Sequence, residues 1–269
     1  MPDLAGKVVV VTGGGGVLCG AMSVALAQHG AAVAVLDLSA EAAQQVADRI
    51  RAGGGRAMAV SGSVLSRESL VEAARQIHAE LGPVDILING AGGNKPDATA
   101  SADQSFFDIP ADAIQWVFNL NCLGTILPCQ VFVPDMVARQ QGVVINMASM
   151  AGIRPLTRVV AYAAAKAAIA NFTQWLAVHL AQQYSPHIRV NAIAPGFFLT
   201  AQNEFLLVDR NTRQPTARGQ TILTHTPANR YGTPDDLLGT LLWLVSDAAA
   251  FVSGAIIPVD GGFSAFSGV

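Results

Sequence analysis

The stretch Val8-Val9-Val10-Val11-Thr12-Gly13-Gly14-Gly15-Gly16-Val17-Leu18-Cys19-Gly20 decides the fold. A run of β-branched residues closed by glycines reads as a buried strand, and the pattern beyond it reads as a helix over Leu18–His29. The glycines between them let a backbone approach a phosphate closely. The start of the helix adds free amide donors and a partial positive charge. A glycine-rich turn alone is common, so its setting decides its weight. Here an acidic residue, Asp37, follows about 20 positions on and closes a second apolar run, Val33–Leu36. Its carboxylate could accept both hydroxyls of an adenosine ribose and would repel a 2′-phosphate. No Arg or Lys lies in the glycine loop or just after Asp37, so NAD(H) is expected and NADP(H) less so. The competing reading makes Asp37 a cap for the next helix.

Outward from this unit, short apolar runs alternate with longer helical patterns along the chain. Strands are expected at Val8–Val11, Val33–Leu36, Ala57–Val60, Ile86–Ile88, Val143–Met147, Arg189–Ile193 and Ala255–Val259. Helices are expected at Leu18–His29, Ala40–Arg51, Arg67–Leu81, Ala111–Ala138, Val160–Gln183 and Asp235–Val245. The alternation predicts an α/β chain: a single-domain, Rossmann-type, doubly wound parallel sheet of about seven strands, with helices on both faces. The whole of residues 1–269 is expected to form that one domain. Phe197–Arg230 is the one long segment without periodicity, and such segments in a compact domain are usually functional.

Composition narrows the function classes. With 51% hydrophobic residues, 13% charged residues and a net charge of −3, the chain has no basic footprint for nucleic acid. The start, Met1-Pro2-Asp3-Leu4-Ala5-Gly6-Lys7, lacks a signal peptide's basic region and apolar core, and no apolar run is expected to span a membrane. Cys19, Cys122 and Cys129 are odd in number, sit in apolar surroundings and lack metal-ligand spacing. They are expected to be reduced core residues of a cytoplasmic protein, with no metal site.

A second stretch carries the chemistry: Ala161-Tyr162-Ala163-Ala164-Ala165-Lys166-Ala167-Ala168-Ile169. Its alanines favour helix, and the four-residue spacing puts Tyr162 and Lys166 on one face. A fixed ammonium beside a phenol is expected to lower the tyrosine pKa, making Tyr162 a general acid/base near neutral pH.

With these motifs in view, the chain resembles the short-chain dehydrogenase/reductase family over nearly its whole length. Tyr162-x-x-x-Lys166 is similar to the family's active-site pair, and Ser149 stands 13 residues before Tyr162, as the family's serine does. Asn121 matches an Asn-x-x-Gly asparagine. Asn89-Gly90-Ala91-Gly92 resembles Asn-Asn-Ala-Gly, Pro195-Gly196 with Thr200 resembles the nicotinamide-binding turn, and Val259-Asp260-Gly261-Gly262 resembles the C-terminal signature. The resemblance implies hydride transfer between NAD(H) and a carbonyl or secondary alcohol. Tyr162 would move the proton, Ser149 would hydrogen-bond the reacting oxygen, Lys166 would keep the tyrosine acidic and hold ribose hydroxyls, and Asn121 would hold a water linking Lys166 to solvent. It implies cofactor contacts at Gly13, Gly16, Val17, Leu18, Asp37, Ser63, Val64, Asn89, Ala91, Gly92, Pro195, Gly196, Phe198 and Thr200, besides Tyr162 and Lys166. It also implies a homotetramer and a substrate-binding lid at 197–230.

Two positions depart from the family pattern. Val17 and Cys19 stand where its second and third loop glycines fall, and Ser63-Val64 replaces an Asp-Val after the third strand. Details of the glycine loop and the chain end resemble the branch that carries the D-mannonate oxidoreductase (fructuronate reductase type) label. The expected substrate is therefore a sugar acid. Asn94, Lys95, Arg154, His225 and Arg230 are the candidates to contact it. A 3-oxoacyl thioester reductase, another polyol or alcohol dehydrogenase and a catalytically silent nucleotide-binding regulator are the alternatives.

Overall fold

The computed structural model describes residues 2–200, 204–209 and 212–268. Seven strands form one parallel sheet in the order β3-β2-β1-β4-β5-β6-β7. They are β1 Val8–Thr12, β2 Ala32–Asp37, β3 Arg56–Ser61, β4 Ile86–Asn89, β5 Gly142–Met147, β6 Ile188–Pro195 and β7 Ile256–Val259. Each lies within two residues of its expected range. Parallel neighbours need crossovers, and helices supply them: α1 Val17–Gln28, α2 Ala40–Ala52, α3 Arg67–Glu80, α4 Ala111–Phe118, α5 Gly124–Ala138, α6 Val160–Gln183 and α9 Leu238–Val245. Two short helices, α7 Glu204–Leu207 and α8 Ala217–Thr224, occupy the segment without periodicity. The helix expected over Asp235–Val245 opens as a 3-10 turn, Pro234–Leu237, because Thr233 and Asp236 form a capping box there.

The valines of β1 show why both sheet faces must be covered. Val9 and Val11 join one apolar layer with Met22, Leu26 and Leu241 from helices α1 and α9. Val8 and Val10 point the other way, into a layer with Leu70, Ile77, Phe132 and Leu176 from α3, α5 and α6. Successive strand side chains face opposite ways, so a strand buried on both sides must be apolar throughout. Each fully buried large side chain contributes about 1.5–3 kcal/mol.

One expectation needs correcting. The continuous helix Ala111–Ala138 is long and apolar enough to cross a membrane by length and composition, with a mean hydropathy of 1.4. Its second half buries Phe132, Val133 and Met136 in the layer beneath the sheet, and 44% of its apolar window is buried. It is not regular. A π-helical segment, Asn119–Leu123, separates α4 from α5, and Pro128 and Pro134 lie inside α5. Such π segments are common at functional sites.

Beneath the carboxyl ends of β4 and β5 a polar column crosses the apolar core. The Asn89 amide donates to Asn146 Oδ1 at 2.9 Å and to Cys129 Sγ at 3.2 Å. Asn146 donates in turn to the Thr173 hydroxyl of α6 at 2.9 Å. Partnerless buried polar groups are costly, so the column fixes the register of two strands against the long helix. Asn146→Ala should strand the Asn89 amide and lower unfolding free energy by about 1–3 kcal/mol. Urea denaturation of wild type and variant checks this, and a midpoint shift near zero would refute it.

Candidate active site

Strand order reverses at the β1–β4 boundary, where the connections leave on opposite sides and open a crevice above the carboxyl ends. A cleft of about 530 Å³ lies there. The turns after β1 and β4 are locked together. The Thr12 hydroxyl accepts the Gly90 and Ala91 amides at 3.1 and 3.3 Å. Gly13, at φ +63°, lies so close that a Cβ there would stand 2.8 Å from the Ala91 backbone. Only glycine fits.

The cleft brings together most of the residues singled out from the sequence. Gly13, Gly16, Val17, Leu18, Asp37, Ser63, Val64, Ala91 and Gly92 line it, as do Ser149, Tyr162, Lys166, Pro195, Gly196, Phe198 and Thr200. Asn89 does not. It is buried under the floor, its amide turned into the polar column. Asn121 is also buried and outside the lining. Leu38, Gly90, Gly93, Trp116, Leu120 and Met147 line the cleft without having been singled out. Trp116, on a helical apolar pattern, reads as core or interface. Its half-exposed position beside Lys95, whose Nζ is 5.5 Å from the ring centroid, was not legible from periodicity.

The two loop departures have a physical resolution. Val17 is the first residue of α1, and its side chain is 46% exposed, so nothing requires glycine there. Its contribution is its amide: the first-turn amides of a helix have no intrahelical acceptor and open into the cleft. Cys19 is buried, and a Cβ on Gly90 would lie 2.1 Å from its Sγ. The volume added at 19 is therefore accommodated by the glycine at 90. Burial pushes the Cys19 thiol up to about 12, so it is an inert filler.

Asp37 ends β2 with its carboxylate at the cleft. Oδ2 accepts the Gly15 amide at 3.0 Å and Oδ1 accepts the Ser39 amide at 3.0 Å. The cap of α2 is Ser39, which accepts the Ala42 amide, so capping that helix does not explain Asp37. Ser63 holds the turn after β3, its hydroxyl accepting the Leu65 amide at 3.3 Å.

At the other end of the cleft, Ser149 ends the β5 connection and Tyr162 and Lys166 come from the first two turns of α6. Lys166 is buried, and its Nζ donates to the Met147 carbonyl at 2.7 Å. Withdrawal from water lowers its pKa to about 8. The expectation of an acidic Tyr162 is corrected for the protein alone. Burial raises the phenol, outweighing the lowering effect of its hydrogen bond with Ser149. Lys166 cannot offset this from where it sits, with Nζ 5.5 Å from the ring centroid.

Asn121 comes from the π segment. The π segment turns its amide toward the loop after β4, where it donates to the Gly93 carbonyl at 2.7 Å and the Val117 carbonyl at 2.8 Å. Its Oδ1 accepts the Gly93 amide at 3.2 Å. The carboxamide clamps that loop against the helix, with both of its N–H donors engaged.

The residues expected to meet substrate are all engaged locally. The Asn94 amide donates to the Thr99 hydroxyl at 2.9 Å, and Lys95 Nζ lies 3.6 Å from Asp97. Arg154 Nε donates to the Ser264 carbonyl at 3.0 Å. His225 Nδ1 faces the Thr221 carbonyl at 2.8 Å, and Arg230 grips Asp236 with both arms at 2.7 Å. The tail packs on its own chain, with the Phe263 ring 5.1 Å from that of Phe197. In the 197–230 segment, a short helix is present at Glu204–Leu207. Asn203 and Arg210 fall outside the described residues. A larger hollow of about 680 Å³ at the opposite ends of the strands is lined by Lys7, Asp85 and Arg189. Those charges satisfy one another or backbone carbonyls, so it offers no open chemistry.

Residues 7–210 match the family model for short chain dehydrogenases. A Bacillus subtilis (strain 168) protein named uncharacterized oxidoreductase UxuB is 49% identical, covering 99% of this chain and 98% of its own. The Escherichia coli (strain K12) 7alpha-hydroxysteroid dehydrogenase is 34% identical over 96% of this chain and 94% of its own. Among solved structures, a Haemophilus influenzae protein with bound NAD, whose proposed activity is D-mannonate oxidoreductase, aligns with a TM-score of 0.94. It is 47% identical and covers 100% of this chain and 98% of its own. The chain belongs to the short-chain dehydrogenase/reductase family of oxidoreductases.

Two outcomes follow from this geometry. Gly90→Ala should drive a methyl into Cys19, destabilise the protein by about 1–3 kcal/mol and weaken dinucleotide binding. Cys19→Gly in the same chain should recover part of both, the remainder reflecting the Thr12 carbonyl 2.8 Å from the added Cβ, and thermal melts of the four-member cycle that were simply additive would contradict the pairing. The second concerns Lys166. Its pKa of about 8 in the fold lies below the unfolded value of roughly 10.4, so between them the unfolded chain binds more protons. Stability from this group therefore rises with pH across that window in cofactor-free protein. Lys166→Met should remove that rise in urea titrations at pH 8 and 10.

Proposed function

We propose that the protein is an NAD(H)-dependent oxidoreductase that interconverts a sugar acid's secondary alcohol and its carbonyl. The observation that carries this reading is one cleft with Asp37 at one end and Ser149, Tyr162 and Lys166 at the other. The cradle suits a dinucleotide. A Cβ at Gly13 would strike Ala91, and one at Gly15 would lie 3.0 Å from Asp37 Oδ2, so the backbone is bare where a pyrophosphate must approach. The open amides at the start of α1 suit its charge. Asp37 suits two ribose hydroxyls and disfavours a 2′-phosphate. The NAD held by the H. influenzae relative supports that choice.

When bound, the nicotinamide supplies or accepts the hydride at C4 and, when oxidised, adds a positive charge near the phenol. The chain's own residues handle the proton. In the reductive direction Tyr162, protonated at neutral pH by its burial, gives its hydroxyl proton to the oxygen that gains charge as the carbonyl carbon is reduced. Ser149 donates a hydrogen bond to the same oxygen and so stabilises that charge. Lys166 orients the ribose and keeps a positive charge beside the resulting phenolate. Asn121, by clamping Gly93, sets the wall facing Tyr162 and acts as a positioning residue. In the oxidative direction the same phenolate takes the alcohol proton.

The 197–230 segment is the proposed lid. Its closure over the cleft would exclude water from the reacting atoms. Its polar surface and its Glu204–Arg213 ion pair suit a hydroxylated substrate rather than an acyl chain. The name carried by the H. influenzae relative points toward D-mannonate, and the branch resemblance adds fructuronate as its oxidised partner. A homotetramer in the cytoplasm completes the reading. Trp175 is 56% exposed and Val178 56% exposed on α6, an apolar face that a second subunit would cover.

The test is absorbance of NADH with fructuronate, and of NAD with D-mannonate and mannitol. Tyr162→Phe should lower turnover by at least about 100-fold while NADH affinity stays within about twofold. Asp37→Ala should narrow the preference for NADH over NADPH. Full activity in the Tyr162→Phe variant would end the mechanism, and faster turnover with NADPH in wild type would end the cofactor assignment.

A further inference from the structure

The five side chains expected to meet substrate are engaged to different degrees. Arg230 grips Asp236 with both arms, whereas the Lys95 ammonium makes no hydrogen bond among the described residues. Its carboxylate neighbour, Asp97, stands 3.6 Å away with its side chain 70% exposed. An ion pair so open to water contributes little and is readily exchanged for another anion. What holds the ammonium is an aromatic ring: Nζ lies 5.5 Å from the centroid of Trp116. The negative face of an indole attracts a cation placed over it.

Both partners are fixed by the fold. The loop carrying Lys95 is clamped on one side by Asn121, which exchanges hydrogen bonds with Gly93 in both directions. On the other side Ala98 is buried with Ala113, Val117 and Ala161, and Tyr162 packs against them. Between these anchors the Lys95 carbonyl accepts the Ala98 amide at 3.1 Å and the Thr99 hydroxyl at 2.9 Å. Trp116 stands on α4 next to Val117, one residue from the cluster that joins this helix to Tyr162. It lines the cleft together with Gly93, Ser149 and Tyr162. The residue is 44% exposed, although tryptophan is highly buried on average. An indole left open in the wall of a cleft, with a cation over its ring and the catalytic phenol in the same cleft, is placed to meet a ligand.

We propose that Trp116 and Lys95 form the acid-recognition corner of the substrate site: the indole walls the cleft and holds the ammonium at its rim, and the ammonium takes the substrate carboxylate in place of Asp97. The corner rests on the sugar-acid reading above and gives it a residue-level cause. Lys95 contributes a point charge, so it selects for an anionic end. Trp116 positions that charge and also offers its ring to the C–H groups of the chain, which an acid and a neutral polyol share. Asp97 is a competitor for the same ammonium. A ligand without an anionic end leaves the Lys95–Asp97 pair as it stands.

The experiment is calorimetric titration of the NADH-loaded protein with D-mannonate and mannitol. Wild type is compared with Lys95→Gln, Lys95→Arg, Asp97→Asn, Trp116→Ala and the double variant that joins Lys95→Gln to Asp97→Asn. D-mannonate should bind wild type well above mannitol. Lys95→Gln should weaken D-mannonate by roughly 10- to 100-fold with mannitol and NADH affinity unchanged, and Lys95→Arg should keep most of the preference. Asp97→Asn should tighten D-mannonate by about two- to fivefold, which a merely structural acid would not do, and the gain should vanish in the double variant. Trp116→Ala should weaken both ligands and narrow the preference for the acid by about two- to fivefold. A preference for D-mannonate that survives Lys95→Gln, or an equal loss of mannitol binding in that variant, overturns the corner and leaves the sugar-acid reading standing. So does a Trp116→Ala variant that binds both ligands like wild type. No preference for the acid in wild type overturns the sugar-acid reading and the corner with it.

Discussion

The contact on which the rest depends is that of two turns with no room between them. Gly13 and Ala91 touch backbone to backbone, and the Thr12 hydroxyl accepts both amides of the opposing turn. That contact sets the separation of β1 and β4 at the point where the sheet reverses direction, and so fixes the floor of the cleft. The polar column of Asn89, Asn146 and Thr173 extends the same constraint to α6. Tyr162 and Lys166 are thereby referenced to the glycine turn through buried hydrogen bonds and not through loop contacts. A hydride-transfer site needs such stiffness, because small displacements of reacting atoms cost large factors in rate.

The long helix shows how irregularity is used. An uninterrupted α-helix over Ala111–Ala138 would leave every amide hydrogen-bonded along its axis and would carry Asn121 round to a different face. The π segment at Asn119–Leu123 widens one turn, and the Asn121 carboxamide reaches Gly93 from it. The helix still buries Phe132 and Met136 under the sheet, so packing and positioning are handled by separate halves of one rod.

Much of this was legible in the sequence, for identifiable reasons. Strands buried on both faces read as apolar runs, and crossover helices must separate parallel strands, so the element order followed from pattern alone. Tyr162 and Lys166 were legible as a pair because a four-residue spacing on a helix fixes one face, whereas Ser149 was singled out through the family resemblance. What escaped depends on who faces whom across the fold. Nothing in the order of residues shows that Arg230 meets Asp236 or that Arg154 meets the tail, so these charges read as free when they are not. Protonation was equally hidden, since burial, which raises Tyr162, is a property of the whole fold.

The Cys19–Gly90 contact also ties together what the two positions can hold. With any side chain at position 90, a sulfur at 19 has no place to go, because even a Cβ would stand 2.1 Å from it. Glycine at 90 beside glycine at 19 leaves only a small void, which a fold tolerates. A larger side chain can therefore be placed at 90 only if the thiol at 19 is removed with it, and the two positions change as a pair. The cradle's unusual glycine loop is in this sense held in place by a contact between two turns far apart in sequence.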